Sequence, residues 1–196
     1  MCIMILKERG KLKYENSIKD IFPEFPDYGS KITIKHLLQH TSGLIDYEDM
    51  MPDTQTTQVH DNDVLKMMMS IDSTYFIPGS KFKYSNSGYA ILAMIVEKTS
   101  GKKYAEFLRE NIFKPLKMKN SVAYEKGKSF VKNRALGYYK KDNEFIERDQ
   151  SSTSAVLGDG GIYCSLIDYM KWDNSLYKKK LVSRETIDEA FSQGAL

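Results

Sequence analysis

Phe76 to Gly101, FIPGSKFKYSNSGYAILAMIVEKTSG, is the stretch on which the reading of this chain turns. Pro78-Gly79 is a turn dipeptide. Lys81 to Tyr84 alternates cationic and aromatic side chains, the pattern of a short half-buried strand. Ser85, Asn86, Ser87 and Gly88 break the alternation. Beyond them Tyr89, Ile91, Leu92, Ile95 and Val96 recur at helical spacing, and Gly101 stands where a helix C-terminus takes a left-handed residue. The chain is therefore expected to leave a strand, turn sharply and enter a buried helix. Tyr84 and Asn86 sit at that turn. A phenol and a carboxamide on the lip of a rigid helix are the kind of pair an active site uses, and equally the kind of turn residues that satisfy local backbone groups.

The 196 residues are 41% hydrophobic, enough for one sizeable core and a single domain over 1–196. Net charge is +3 with a pI near 8.6, and the cations are interspersed with Asp and Glu. There is no basic stripe interleaved with aromatics, so nucleic acid is not an expected partner. Cys2 and Cys164 lie in apolar surroundings and read as two buried free thiols. No apolar run is long enough to span a membrane. The opening MCIMIL has no positive n-region and no cleavage site, so it is not read as a signal peptide, and the compartment stays unknown.

Outward from the central stretch, Met1 to Arg9 is apolar on every face until Lys7, the mark of a helix covered on all sides. Ile32 to Leu44, ITIKHLLQHTSGL, is a helix capped by Thr33 and running through His40, with Gly43 ending it. His36 and His40 would share a face of that helix. A metal-binding helix of this spacing wants Glu after the first histidine, and Leu37 stands there, so a structural histidine bonding a neighbouring loop is preferred and no metal or other cofactor is expected. Asp61 caps a helix that carries Val64, Leu65, Met67 and Met68. Tyr104 to Ile112 forms another helix, stopped before Pro115. From 121 to 150 the texture changes to short strands at Val122–Tyr124, Ala135–Tyr139 and Glu144–Glu147 with Lys-rich connections, a small solvated β excursion. Ile162–Cys164 is a further strand. Ser165 starts a helix with Asp168 in a capping-box position and Ile167, Met170, Trp172 and Leu176 on its apolar side. Ser183 caps the last helix.

Taken together, these segments resemble the serine β-lactamase and penicillin-binding protein superfamily, in its class C, carboxypeptidase and esterase-like branch. The residues that carry the resemblance are Ile32–Leu44, Phe76–Gly101 with its Tyr-x-Asn at Tyr84-Ser85-Asn86, Ile112–Ser121 (IFKPLKMKNS) and Asp159–Trp172 (DGGIYCSLIDYMKW), in that order. The resemblance implies a mainly α fold with a small β excursion: the helical domain of a β-lactamase-like α+β fold, without most of the flanking antiparallel sheet. It implies acyl transfer on β-lactam, D-Ala peptide or ester substrates. It assigns Tyr84 as the proton-relay phenol, catalytic in role, and Asn86 as the substrate-binding carboxamide that also holds the catalytic lysine. An unperturbed phenol, with a pKa near ~10, is a useful base at neutral pH only when cations favour its phenolate.

The family's nucleophile is the Ser of Ser-x-x-Lys, on a helix upstream of Tyr84. Here Ser-x-x-Lys spacing occurs at Ser100–Lys103, Ser129–Lys132 and Ser175–Lys178, all downstream of Tyr84. In a Lys-rich chain such matches arise by chance, and no nucleophile is assigned to any of them. A Lys-Thr-Gly-type strand is likewise not found. The chain is thus expected to be the middle of such an enzyme and inactive alone, completed by another segment to act on a small-molecule or peptide acyl substrate. The alternative is a non-catalytic binding or self-association module. Its motive is the apolar N-terminal helix, which, having lost its cover, would pair copies of the chain through Ile3 and Ile5.

Overall fold

The computed structural model describes residues 1–194. Its axis is helix α5, Asn86–Ser100, in which Ala90, Ile91, Leu92, Ala93, Ile95 and Val96 are all buried. Apolar residues at consecutive positions leave no polar face, so such a helix is stable only when surrounded. Helices α1 (Cys2–Glu8), α2 (Ile18–Ile21), α3 (Ile34–Leu38), α4 (Asp61–Met69) and α6 (Tyr104–Leu108) all pack on it. Its ends are set locally. Ser85 Oγ accepts the Gly88 N–H at 3.0 Å, and Gly101 closes the helix at φ 70°.

One contiguous core runs from Cys2 to Ile187. Helix α1 is buried from Cys2 to Leu6 within its own chain. Its cover is α5 together with the start of the last helix, α8 (Arg184–Phe191): the Glu8 carboxylate accepts from the Ser183 N–H at 2.7 Å and the Thr186 hydroxyl at 2.6 Å. The expectation of an uncovered N-terminal helix is corrected accordingly, and Ile3 and Ile5, at 3% and 4% exposure, offer no face for self-association.

The β structure is slight. Strands β1 (Ser121–Ala123) and β4 (Ile162–Cys164) form one antiparallel pair, while β2 (Tyr138–Lys141) and β3 (Glu144–Glu147) form a second. The β2–β3 hairpin turns at Asp142 and Asn143, both at positive φ, as a two-residue primed turn requires. It is solvent-exposed on both faces. Its root is held by Arg134, whose guanidinium lies over the touching rings of Tyr124 and Tyr163, 4.6 Å from each, and pairs with Asp149. The fold is thus mainly α with a small β excursion.

Three local expectations are corrected. Lys81–Tyr84 is exposed coil with no strand partner among the described residues; the Lys83 N–H donates to the His40 carbonyl rather than to a second strand. Cys164 is exposed at the end of β4; only Cys2 is buried, and burial raises its thiol to about 11. Helix α7 (Leu166–Leu176) buries its expected apolar side only in part: Trp172 packs on the core, but Ile167 and Met170 do not. Asp168 and Ser175 are buried, whereas Leu166, Ile167 and Met170 face solvent. The reason is Asp168. Its carboxylate accepts from the Asn120 N–H at 2.6 Å, the Ser121 hydroxyl at 3.0 Å and Lys171 at 2.6 Å. Burial alone would raise its pKa, but these donors hold it below the usual carboxylate value. No helix among the described residues is long and apolar enough to cross a membrane.

Candidate functional site

Tyr84, Ser85 and Asn86 stand at the N-terminal mouth of α5. Asn86 is the first helical residue and is held at the surface by one contact, a 3.3 Å bond from its Nδ2 to Glu48 Oε1. The next residue anchors the facing loop: Ser87 Oγ accepts the Tyr47 N–H at 2.9 Å and donates to the Ile45 carbonyl at 2.7 Å. Residues 45–48 are thereby tied to the same helical turn as Asn86, and Glu48 is brought to its carboxamide. The loop's outer side is fixed by Tyr75, whose hydroxyl donates to Asp49 at 2.9 Å and accepts the Asp46 N–H at 3.2 Å.

Tyr84 is 62% exposed, with its ring stacked on His40 at 4.5 Å between centroids. Helix α3 ends at Leu38, so His40 lies outside it, in the left-handed region at φ 57°. The two histidines therefore do not share a helix face. His36 Nδ1 accepts the Thr33 N–H at 3.3 Å, inside the helix cap. His40 Nδ1 accepts the Ser85 N–H at 3.2 Å, the loop-bonding role expected of a structural histidine. Burial lowers the pKa of both. Gly43, at φ 70°, completes the turn out of α3; a Cβ there would meet the Phe76 carbonyl oxygen at 2.6 Å. That close approach is why 40–43 and 75–85 run side by side, with Tyr75 N–H on Gly43 O and Gly79 N–H on Thr41 O, both at 2.8 Å.

The neighbouring cation, Lys83, is directed at the Tyr75 ring, 4.8 Å from its centroid. A cleft of about 670 Å³ is lined by His60, Asp61, Glu97 and Lys103 among others, and neither Tyr84 nor Asn86 lines it. The Tyr-x-Asn pair thus stands on an open face. The three Ser-x-x-Lys matches do not form a nucleophile pair: Ser129 Oγ is engaged with Glu125 N–H, the Ser175 hydroxyl donates to Trp172 O, and Lys103 pairs with Glu97. Among the described residues, no cluster of three or more His, Cys, Asp or Glu side chains is placed to hold a metal ion.

A second polar group was not singled out from the sequence. Asp61 does not cap α4; its two oxygens accept the Leu157 and Gly158 N–H groups at 2.9 and 2.8 Å. This grip delivers Asp159 to the fully buried Tyr47, whose hydroxyl donates to it at 2.9 Å. Burial, reinforced by Asp61 and Glu48, raises the Asp159 carboxyl to about 6. The sequence signals nearby were the Gly-rich run Gly158–Gly161 and the motif that begins at Asp159. Gly158 is required because a Cβ would fall 2.3 Å from the Tyr89 carbonyl oxygen, in the backbone of α5.

The sequence matches the Beta-lactamase family model over residues 1–195. The chain belongs to the beta-lactamase family. Among curated relatives, penicillin-binding protein 4* of Bacillus subtilis is 34% identical over 205 residues, covering 97% of this chain and 45% of that protein. This family member therefore spans about half the length of the curated relatives it matches. The crystal structure of a penicillin-binding protein from Bacillus halodurans superposes with a TM-score of 0.78 at 28% identity, over 95% of this chain and 58% of that one. The octameric penicillin-binding protein homologue from Pyrococcus abyssi gives 0.76 at 26% identity, over 95% and 44%. A D-stereospecific amidohydrolase from Streptomyces, at 19% identity and a TM-score of 0.81, shares the fold of this beta-lactamase family chain.

Proposed function

We propose that these residues form the Tyr-x-Asn wall of a serine acyl-transfer site acting on β-lactam, D-Ala peptide or ester substrates. Tyr84 is the relay phenol and Asn86 the carboxamide that binds the substrate amide. The nucleophilic serine and its lysine come from a Ser-x-x-Lys helix that the 196 residues do not contain. The observation that carries the reading is the placement of Tyr84-Ser85-Asn86: an exposed phenol and a lightly held carboxamide at the start of a helix buried along its length. A rigid support with accessible polar ends is what acid–base and substrate-orienting groups need.

Two experiments test it. The 196-residue chain, incubated with a penicillin or an activated ester, forms no covalent adduct by intact-mass spectrometry; a stoichiometric acyl adduct overturns the reading of the nucleophile. In a completed chain, with a Ser-x-x-Lys helix before residue 1 and a Lys-Thr-Gly-type strand after residue 196, Tyr84→Phe slows acylation at least about tenfold. An unchanged rate reduces Tyr84 to a structural residue.

A further inference from the structure

Tyr84 is held from three directions, and all three belong to His40. Its ring lies on the His40 imidazole at 4.5 Å and 29°, and the far face of that imidazole stacks on Tyr89 at 4.9 Å and 21°. The amide before it, Lys83 N–H, donates to the His40 carbonyl at 2.9 Å. The amide after it, Ser85 N–H, donates to His40 Nδ1 at 3.2 Å. Beneath the stack, the Tyr89 hydroxyl donates to the Leu38 carbonyl at 3.2 Å, so the floor is itself anchored to α3. Phe82 closes the edge of the imidazole at 6.0 Å and 79°.

We infer that His40 is a positioning residue, which sets the place and tilt of the Tyr84 phenol through this stack and the two flanking amide bonds. The inference rests on the relay role proposed for Tyr84. Two observations separate it from simple loop anchoring. First, His40 occupies φ 57°, a region that costs a non-glycine residue free energy and is commonly kept where a side chain must be aimed. Glycine or asparagine would make the same turn and still leave the carbonyl for Lys83. Second, an aromatic ring is needed only by Tyr84, Tyr89 and Phe82, and of these Tyr84 alone belongs to the Tyr-x-Asn pair. A phenol on an exposed coil otherwise samples several rotamers. Stacking on an aromatic face is enough to favour one of them several-fold.

The grip is tested first on the 196-residue chain by NMR with ring-labelled tyrosine, the Tyr84 signals being assigned by their loss in Tyr84→Phe. Cross-relaxation between the Tyr84 and His40 rings and an upfield ring-current shift of Tyr84 are expected in the wild-type chain; their absence overturns the inference whatever any variant does. His40→Asn keeps an acceptor and tolerates positive φ but has no ring, so the Tyr84 shift collapses while Ser85 amide protection persists. In the completed chain, His40→Asn lowers the acylation rate about tenfold with substrate affinity unchanged. In the Tyr84→Phe background it costs nothing further, because it acts through the phenol. If Tyr84→Phe slows acylation and His40→Asn adds an independent loss, or has no effect, His40 is a structural residue and the inference alone falls. If Tyr84→Phe leaves the rate unchanged, the relay reading falls and takes the inference with it.

Discussion

Replacing Asp159 by Asn should stabilise this protein at neutral pH, and only there. The carboxyl is raised from its ordinary 3.8 to about 6, first by burial and then by Asp61 and Glu48. The folded state thus binds the proton more tightly than the unfolded chain. Stability therefore falls as pH rises from about 4 through 6, and the full cost of the buried charge is present above that. A displacement of about two pKa units corresponds to on the order of 3 kcal/mol. Asn removes the charge and keeps an oxygen that can accept the Tyr47 hydroxyl. In urea, where a slope of about 2 kcal/mol/M is ordinary, the midpoint of Asp159→Asn should rise by roughly 1.5 M at pH 7.5, with the gap closing near pH 4. Paired urea titrations at the two pH values read this directly. A variant that is less stable at pH 7.5, or a gap of equal size at pH 4, refutes the reasoning.

Gly158→Ala forces a methyl to within 2.3 Å of the Tyr89 carbonyl oxygen and 2.8 Å of the Ala90 Cα, so it should destabilise by about 2–3 kcal/mol and lower Tm by about 5–10 °C; an unchanged melt would refute the packing argument. Ser87→Ala leaves the Tyr47 N–H and Ile45 carbonyl without their partner, for a loss of about 1–3 kcal/mol by urea titration, together with faster hydrogen exchange at the Tyr47 amide. His36 and His40, both held below the usual histidine value by burial, contribute stability that is complete above about pH 6.5 and lost as pH falls through their lowered folded values. The drop in urea midpoint between pH 7.5 and 5 that these imidazoles cause should be smaller in His40→Asn than in the wild-type chain; equal drops would show that His40 titrates as it does in the unfolded chain.

What was legible in the sequence was chiefly what is decided within one turn of chain. Thr33, Ser165 and Ser183 cap helices in the structure because a hydroxyl reaches an N–H three residues on, and Gly101 ends α5 for an equally local reason. The helix of residues 34–40 was read too long because nothing in Leu-Gln-His-Thr announces a left-handed histidine. The alternation at Lys81–Tyr84 is real, and its cause was misread. Phe82 and Tyr84 both turn toward His40, so an imidazole, forty residues away in sequence, takes the place of a sheet. Helix α7 was read by its apolar residues, whereas the buried carboxylate of Asp168 sets its orientation. Tyr84 and Asn86 stood out as a pair and His40 as a loop-bonding histidine, but Glu48 and the contacts joining Asp61, Asp159 and Tyr47 depend on packing between distant segments.

The β2–β3 hairpin carries a practical consequence. Its strands bond to each other and face solvent on both sides, and Arg134 fixes its root to Tyr124, Tyr163 and Asp149. Whatever is spliced between Asp142 and Asn143 is insulated from the helical body by that cationic clasp. The turn is therefore a natural port for a reporter, an epitope or an affinity handle, and lengthening it taxes neither the core nor the Tyr-x-Asn face.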